Sequence, residues 1–303
     1  MTPASISSPL SALLLAPFLL GVTRRTKAIA AGRTGPPLLQ TYYDLAKLLR
    51  KSVVYSRTTT WVFRAGPVVG LAAVLCATAL VPLGGVPAPC AFEGDLFLFA
   101  YLLGLLRFFT VVAALDTGSS FEGMGASREV TFAALAEPVL LLALAAIART
   151  VGSLSLSTMY SGVDATEWSR ASAAFALLGG ALVVVFLAEN GRVPVDDPTT
   201  HLELTMIHEV MVLDHGGPDL AFILYSGVVK LWLLGALLVG LIVPVRSGHV
   251  WLDGAAAIAG MVGVAVVTGI VESSMARWRL VRVPQFLVGA GVMSVLALVL
   301  TRG

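Results

Sequence analysis

From Ala171 to Glu209 the chain reads ASAAFALLGGALVVVFLAENGRVPVDDPTTHLELTMIHE. The part up to Ala188 is almost wholly apolar, close to the roughly 20 residues a helix needs to cross a bilayer. The part from Glu189 to Glu209 holds five carboxylates (Glu189, Asp196, Asp197, Glu203, Glu209), two histidines (His201, His208) and Arg192. A new apolar run then starts at Leu220. A polar stretch pinned between two such runs implies membrane helices joined by loops. It also points to function, because ionisable groups at or inside a bilayer are costly and mark working sites by default.

Composition agrees. Of 303 residues, 57% are hydrophobic and 13% charged, and the net charge is only +2, with no basic excess to suggest nucleic acid as a partner. Length alone would predict two soluble domains, but the apolar runs override it. The expectation is an all-α polytopic membrane protein, one integral membrane domain over residues 1–303. The spans are Leu10–Val22, Val62–Leu83, Leu96–Leu115, Val130–Val151, Ala171–Ala188, Leu220–Val245, Val250–Val271 and Phe286–Leu300, about eight in all. The first is read as a retained helix, because Arg24, Arg25 and Lys27 follow its apolar core instead of preceding it. Cys76 and Cys90 are expected unpaired, too few for a disulfide scaffold or a cysteine-ligated zinc or iron–sulfur centre.

Residues 24–60 form a basic connector. Within it Leu38, Tyr42, Leu45 and Leu49 recur at helical spacing, predicting an amphipathic helix for the membrane surface or a docked partner; an ordinary solvated helix fits the periodicity equally well. Residues 189–218 form a second connector, a polar loop and helix. Residues 154–170 are expected as a short amphipathic piece at the interface. With eight alternating spans, Arg24, Arg25, Lys27, Arg33, Lys47, Arg50, Lys51, Arg57, Arg128, Arg192, Arg277, Arg279 and Arg282 fall on one side. Only Arg149, Arg170, Arg246 and Arg302 fall on the other. The asymmetry places the connectors in the cytoplasm and both termini outside.

Gly191 and Pro194 should end one helix, and Pro198 should start another carrying His201, Glu203, His208 and Glu209. His201 and His208 would then lie about 10.5 Å apart along the axis, too far to share a zinc ion at about 2 Å ligand distance. No metal site is expected. A proton relay fits better, since crowded, partly desolvated carboxylates hold protons near neutral pH and histidine titrates there unaided. The simpler reading is that Arg192 braces the loop by pairing with Asp196 or Glu189. Glu137, Lys230 and Glu189 read as a buried polar path. Arg107, deep in its span, ranks below them, and both it and Lys230 can equally be structural counter-ions. Glu272 closes the seventh span. Asp116 and Glu122 are candidates to join the cluster, and Glu93 and Asp95 read as solvated loop acids.

The pattern E-x-x-R-x-P-x-D-x-P-x-x-H-L-E-L-T-M-I-H-E at Glu189–Glu209 closely resembles the membrane subunit of energy-converting nickel–iron hydrogenases and formate hydrogenlyase, the hydrogenase-4 component C type, related to subunit one of respiratory complex I. Three further stretches match in order. They are Gly35-Pro36-Pro37-Leu38-Leu39-Gln40 followed by Asp44-Leu45-Ala46-Lys47-Leu48, then Gly125-Ala126-Ser127-Arg128 through Glu137-Pro138, and Glu272-Ser273-Ser274-Met275-Ala276-Arg277-Trp278-Arg279 through Pro284. Complex I members usually read P-F-D-x-P-E; here Val195 replaces the Phe, which favours the hydrogenase branch.

The resemblance implies an anchor and coupling subunit that holds no redox centre itself and does no catalysis alone. Its partners would be hydrogenase large and small subunits, an iron–sulfur subunit and antiporter-like membrane subunits, with the nickel–iron site and iron–sulfur clusters in those partners. A quinone is possible but not favoured. The coupling path would use Glu137, Glu189, Glu203, His208, Glu209, Lys230 and Glu272. The arm-docking surface would use Gln40, Asp44, Lys47, Arg128, Arg192, Asp196, Asp197 and His201. The competing readings are the quinone-site subunit of a complex I-like NADH:quinone oxidoreductase and a free-standing ion transporter. The latter lacks the inverted, broken-helix repeats such proteins show. An intramembrane hydrolase is disfavoured by the histidine spacing and by the lack of a nucleophile–base pair.

Overall fold

The computed structural model describes residues 3–196, 206–244 and 246–301. Its helices are α1 Ser7–Ala30, α2 Gln40–Leu49, α3 Trp61–Thr78, α4 Asp95–Asp116, α5 Ser120–Val151, α6 Leu156–Gly162, α7 Ala165–Arg170, α8 Ser172–Glu189, α9 Gly217–Ile242, α10 Val250–Ser274 and α11 Arg282–Leu300. Eight of them, all but α2, α6 and α7, are long and apolar enough to cross a membrane, one for each expected span. The chain is a multi-pass membrane protein.

Two boundaries differ from expectation. α1 continues through Arg24, Arg25 and Lys27, so these cations ride on a helix rather than in a loop. α5 begins ten residues before Val130; at 32 residues it is about 48 Å long, well beyond the hydrocarbon thickness. The segment expected at the interface forms two short helices, α6 and α7.

Lipid is as apolar as leucine, so packing and polar links, not the hydrophobic effect, hold membrane helices together. α8 and α9 are the most buried spans, and α4, α10 and α11 the least. α3 packs on α4 and α9, α10 on α1, and α11 on α5 and α8. Trp232 and Phe175 are among the largest fully buried side chains at this centre.

Contacts define two ends. At the terminal end Ser8 donates to the Val81 carbonyl and Ser157 accepts from Ala88 N–H. At the connector end Trp278 N–H donates to the Pro194 carbonyl and Tyr55 to Asp219. Pro17 has no N–H to offer the Leu13 carbonyl one turn earlier in α1. The Tyr225 hydroxyl, from α9, donates to that carbonyl instead at 2.9 Å, and Tyr42, from α2, donates to the next carbonyl, Leu14. The first connector thus folds back onto α1. At Gly21 the approach is so close that a Cβ would lie 2.0 Å from the Leu38 carbonyl oxygen. On α2 the buried side is Thr41, with Leu38, Tyr42, Leu45 and Leu48 partly covered, while Leu49 is exposed. The expected apolar face therefore shifts by one residue at its end.

Of the loop acids, Glu93 is exposed as expected, whereas Asp95 is not solvated, and Asp116 and Glu122 do not join the cluster. Asp95 is fully buried; it accepts hydrogen bonds from Leu156 N–H at 2.6 Å and from the Ser155 hydroxyl at 3.0 Å. Glu93 accepts from Leu154 N–H at 2.6 Å. The two fasten the start of α6 to the start of α4. Asp116 accepts from Thr60 N–H at 2.7 Å and Phe63 N–H at 3.3 Å, which caps α3. Glu122 is buried and accepts from Asp214 N–H. Each satisfies backbone donors near a helix start and takes no part in the central cluster.

Candidate functional site

α8 ends at Glu189, and the chain turns back at Gly191, whose φ of +56° favours glycine. A Cβ there would also lie 2.7 Å from Nδ1 of His208. The glycine thus makes both the turn and the seat for that ring. Arg192 N–H returns to the Leu187 carbonyl, and the Arg192 carbonyl accepts from Val195 and Asp196. Asp196, buried, accepts from the N–H groups of Ile207 and His208 at 3.1 and 3.2 Å. Met206 and Ile207 are buried, Arg128 donates to the Met206 carbonyl, and Met211 packs against Val111 and Ala126. The polar loop is a plug seated between α4 and α5.

That plug brings His208 to the charges inside the bundle. Arg107, about 13 Å from the end of α4, donates from Nε to Glu129 at 3.0 Å, from Nη1 to Glu137 and from Nη2 to Glu189. Lys230, midway along α9, lies 3.7 Å from Glu189. His208 joins this group through Nε2, 3.3 Å from Glu129, while its Nδ1 lies 3.4 Å from Asp196. Asp196 is paired on its other side with Arg277 at 3.2 Å. Beside this chain of pairs, Glu272 links Arg192 at 3.2 Å and Lys27 at 3.6 Å.

Both nitrogens of His208 face carboxylates, and only the imidazolium has two N–H donors to satisfy both. Burial works against that charged ring, but Glu129 and Asp196 outweigh it and raise the His208 pKa above its ordinary value. Burial alone would raise the Asp196 pKa; His208 and Arg277 instead hold it below the usual carboxylate range. Charge arithmetic makes His208 consequential. Arg107 and Lys230 offset two of Glu129, Glu137 and Glu189, and the third is balanced only while His208 is protonated. A cavity of about 280 Å³ opens on this group, lined by Arg107, Glu129, Glu189, His208, Glu209 and Lys230 and walled by Leu103, Leu106 and Leu231. Among the described residues no set of three or more His, Cys, Asp or Glu side chains is arranged to hold a metal ion.

The NADH dehydrogenase family model matches residues 5–302. The chain belongs to that family. Within it, formate hydrogenlyase subunit 4 of Escherichia coli (strain K12) is 32% identical over 272 residues, covering 88% of this chain and 87% of the relative. Hydrogenase-4 component C of the same organism is 34% identical over 233 residues, covering 77% and 72%. The H-type subunit of NADH-quinone oxidoreductase from Anaplasma phagocytophilum (strain HZ) is 26% identical over 214 residues, covering 64% and 62%. Among solved structures, a chain of the membrane-bound sulfane sulfur reductase, an archaeal respiratory membrane complex, shares the fold at a TM-score of 0.80. It is 19% identical and covers 97% of this chain and 98% of its own. The resemblance read from the loop motif is thus supported along nearly the whole chain, with the hydrogenase-type members of the family nearer than the NADH-quinone oxidoreductase relative.

Against this family background the sequence-predicted residues divide. Glu137, Glu189, His208 and Lys230 meet in one network, Glu272 lies beside it, and Glu209 lines the cavity. Arg192 pairs with Glu272, not with Asp196 or Glu189. Arg192 and Asp196 are buried, so they belong to the interior rather than to an open docking face. Gln40 donates to Asp44 at 2.9 Å, Asp44 lies 3.9 Å from Arg24, and Lys47 is exposed. Asp197, His201 and Glu203 lie outside the described residues. The expected helix from Pro198 does not continue to Glu209: Ile207–His208 is a bend and turn, and Glu209–Val212 is a separate 3-10 helix. Arg107, which sequence reasoning ranks below Lys230, is the hub. Glu129, Arg277 and Lys27 are members of the network that sequence reasoning misses. Arg107 carries a signal, a cation amid an apolar run; Glu129, next to Arg128 near a span's start, looks like half of a solvated pair.

Proposed function

We propose that this chain is the membrane anchor and coupling subunit of a group 4 nickel–iron hydrogenase or formate hydrogenlyase-like complex. It docks the peripheral electron-transfer arm and links redox chemistry there to proton or ion movement in antiporter-like subunits beside it. The observation that carries this reading is the unbroken run of ion pairs from Arg277 and Asp196 in the loops, through His208 and Glu129, to Arg107, Glu189, Lys230 and Glu137 inside the bundle.

Redox turnover in the arm shifts the connector loops that hold Asp196. His208 then exchanges its proton, and the hub loses or regains the charge that balances Glu129. Glu137 is the outward end of the path: 48% of its side chain is exposed, about midway along α5. A carboxylate at that depth is too costly to leave against lipid, which supports a neighbouring membrane subunit covering it. On the positive-inside argument the connector end faces the cytoplasm and both termini face outward, in the cytoplasmic membrane of a prokaryote. Nickel and iron–sulfur centres belong to the partners.

The test is purification of the tagged chain in mild detergent, with partner identification and metal assay. Nickel, iron–sulfur subunits and antiporter-like subunits should accompany it. A chain that comes down alone and moves ions would replace this reading with a free-standing transporter. A quinone-site role is a second reading, favoured by the cavity's leucine walls and charged end. Flavin and NADH-oxidising subunits without nickel, together with block by a quinone-site inhibitor, would establish it.

A further inference from the structure

Pro17 lies near the middle of α1, a helix long and apolar enough to cross the bilayer. It offers no N–H, so the Leu13 carbonyl has no donor from its own helix. Lipid has nothing to give such a group, and a neighbouring helix must supply the donor. Here it is the Tyr225 hydroxyl of α9, at 2.9 Å. One residue on, the Leu14 carbonyl accepts from the Tyr42 hydroxyl of α2. A single turn of α1 is thus held by two tyrosines from two other helices. Leu38, just before α2, also presses on α1 at Gly21. The first connector therefore grips α1 at two heights.

Tyr225 stands five residues before Lys230, about 7.5 Å along α9. From Gly227 to Ile242 the helix is apolar apart from Lys230, and packed helices can slide past one another by small shear movements. Among the described residues, side-chain hydrogen bonds and ion pairs tie α9 to other elements at Asp219, Tyr225, Lys230 and the Leu241 carbonyl. The tie nearest to Lys230 is the one at Tyr225. Height matters at this point. The Lys230–Glu189 contact, at 3.7 Å, is the longest in the run of ion pairs from Arg277 to Glu137. A small slide of α9 would break that link before any other.

We propose that Tyr225 is the positioning residue for Lys230. By hanging α9 on the carbonyl that Pro17 frees, it sets the height at which the Lys230 ammonium meets Glu189. Tyr42 holds the adjoining carbonyl and ties the same turn to α2, so the position of the connector helix bears on Lys230 through α1. The consequence for ion movement rests on the relay reading given above; the placement of Lys230 does not. A merely bracing role differs in kind. Tyr225 would then only satisfy an orphaned carbonyl, and any other donor to that carbonyl would serve as well.

The test separates the two roles on the full chain in its native assembly in mild detergent. Lys230 lines the cavity of about 280 Å³, through which a small reagent reaches it. It is acylated with acetic anhydride at fixed pH and counted by mass spectrometry, with exposed Lys47 as the internal standard. Tyr225→Phe keeps the ring and deletes the donor. It should speed acylation of Lys230 about fivefold, because an amine drawn away from Glu189 is more open to the reagent, and it should lower the melting temperature. Tyr42→Phe should speed acylation about twofold. Pro17→Ala combined with Tyr225→Phe returns a helix N–H to the Leu13 carbonyl. The melting temperature should then recover while the fast acylation of Lys230 persists. Unchanged acylation in Tyr225→Phe, or recovery of both readouts in the double variant, would overturn the assignment. In the reconstituted complex, Tyr225→Phe should lower the ions moved per electron about threefold with electron transfer retained. Fast acylation together with a wild-type ion ratio would support the positioning and instead remove Lys230 from the relay, so the two readings fail separately.

Discussion

At the terminal end Asp95 and Glu93 accept hydrogen bonds from neutral donors, the N–H groups and hydroxyls of residues 153–156. At the connector end Glu129, Glu189, Asp196 and Glu272 are matched against arginine, lysine and histidine. Both ends hold buried carboxylates, but the consequences differ. A carboxylate capping N–H groups is a fixed charge in a fixed frame, and nothing beside it can take up a proton near neutral pH. A carboxylate next to His208 has a neighbour whose charge can change, and through Arg107 that change reaches three helices. The first arrangement holds the bundle together; the second can also carry a signal along it.

The strongest test of this contrast is at the hub. Arg107→Met leaves Glu129, Glu137 and Glu189 facing one another with only Lys230 and protonated His208 to offset them, and removing one partner of a buried ion pair costs about 3–5 kcal/mol. The yield of assembled complex should collapse. Normal assembly would show that the cluster is not a buried network. Next is Glu189→Gln, which keeps the shape of the side chain and removes its charge. Assembly should survive while ion translocation per electron falls about tenfold, and full pumping would remove Glu189 from the path. Third, Asp95→Asn at the other end should destabilise the protein by about 1–2 kcal/mol through a weakened cap. Ions moved per electron should not change there, and a coupling defect would erase the distinction between the two ends.

The mildest effect concerns His215, stacked on Phe63 with ring centroids 3.9 Å apart. Burial lowers its pKa to about 4 against an ordinary value of 6.5, with Asp219 and Asp214 resisting. The folded state therefore favours the neutral ring. Its stabilising contribution is present above the unfolded value and is lost as pH falls through the folded one. Thermal stability of the wild type should drop between pH 6.5 and 4, and His215→Phe should flatten that slope. An unchanged slope would mean that the ring is not held neutral.

Much of the fold is legible in the sequence because bilayer physics is simple: each apolar run becomes one helix. The loop motif announces the site, and Lys230 and Glu189 stand out as charges amid apolar neighbours. What is illegible depends on distance along the chain. The partners of Asp95 lie 60 and 61 residues away, so a buried cap looks like a solvated acid. Glu129 meets His208 only because Ile207 and Val210 plug the end of the bundle, and tertiary burial there also replaces the expected continuous helix with a turn. Arg107 is visible, but its three acceptors come from two other helices that sequence order does not bring together.

If the network is a relay, His208 must carry charge between the loops and the membrane hub. The most direct measurement is ions moved per electron by the reconstituted complex, wild type against His208→Gln, across a pH series. The wild type should stay coupled through neutral pH and lose coupling as pH rises through the raised His208 pKa, because Glu129 is then left unbalanced. His208→Gln should keep electron transfer in the arm yet move few ions at any pH. A His208→Gln complex with the wild-type ratio and the wild-type pH profile would remove His208 from the relay and leave the ion pairs as bracing alone.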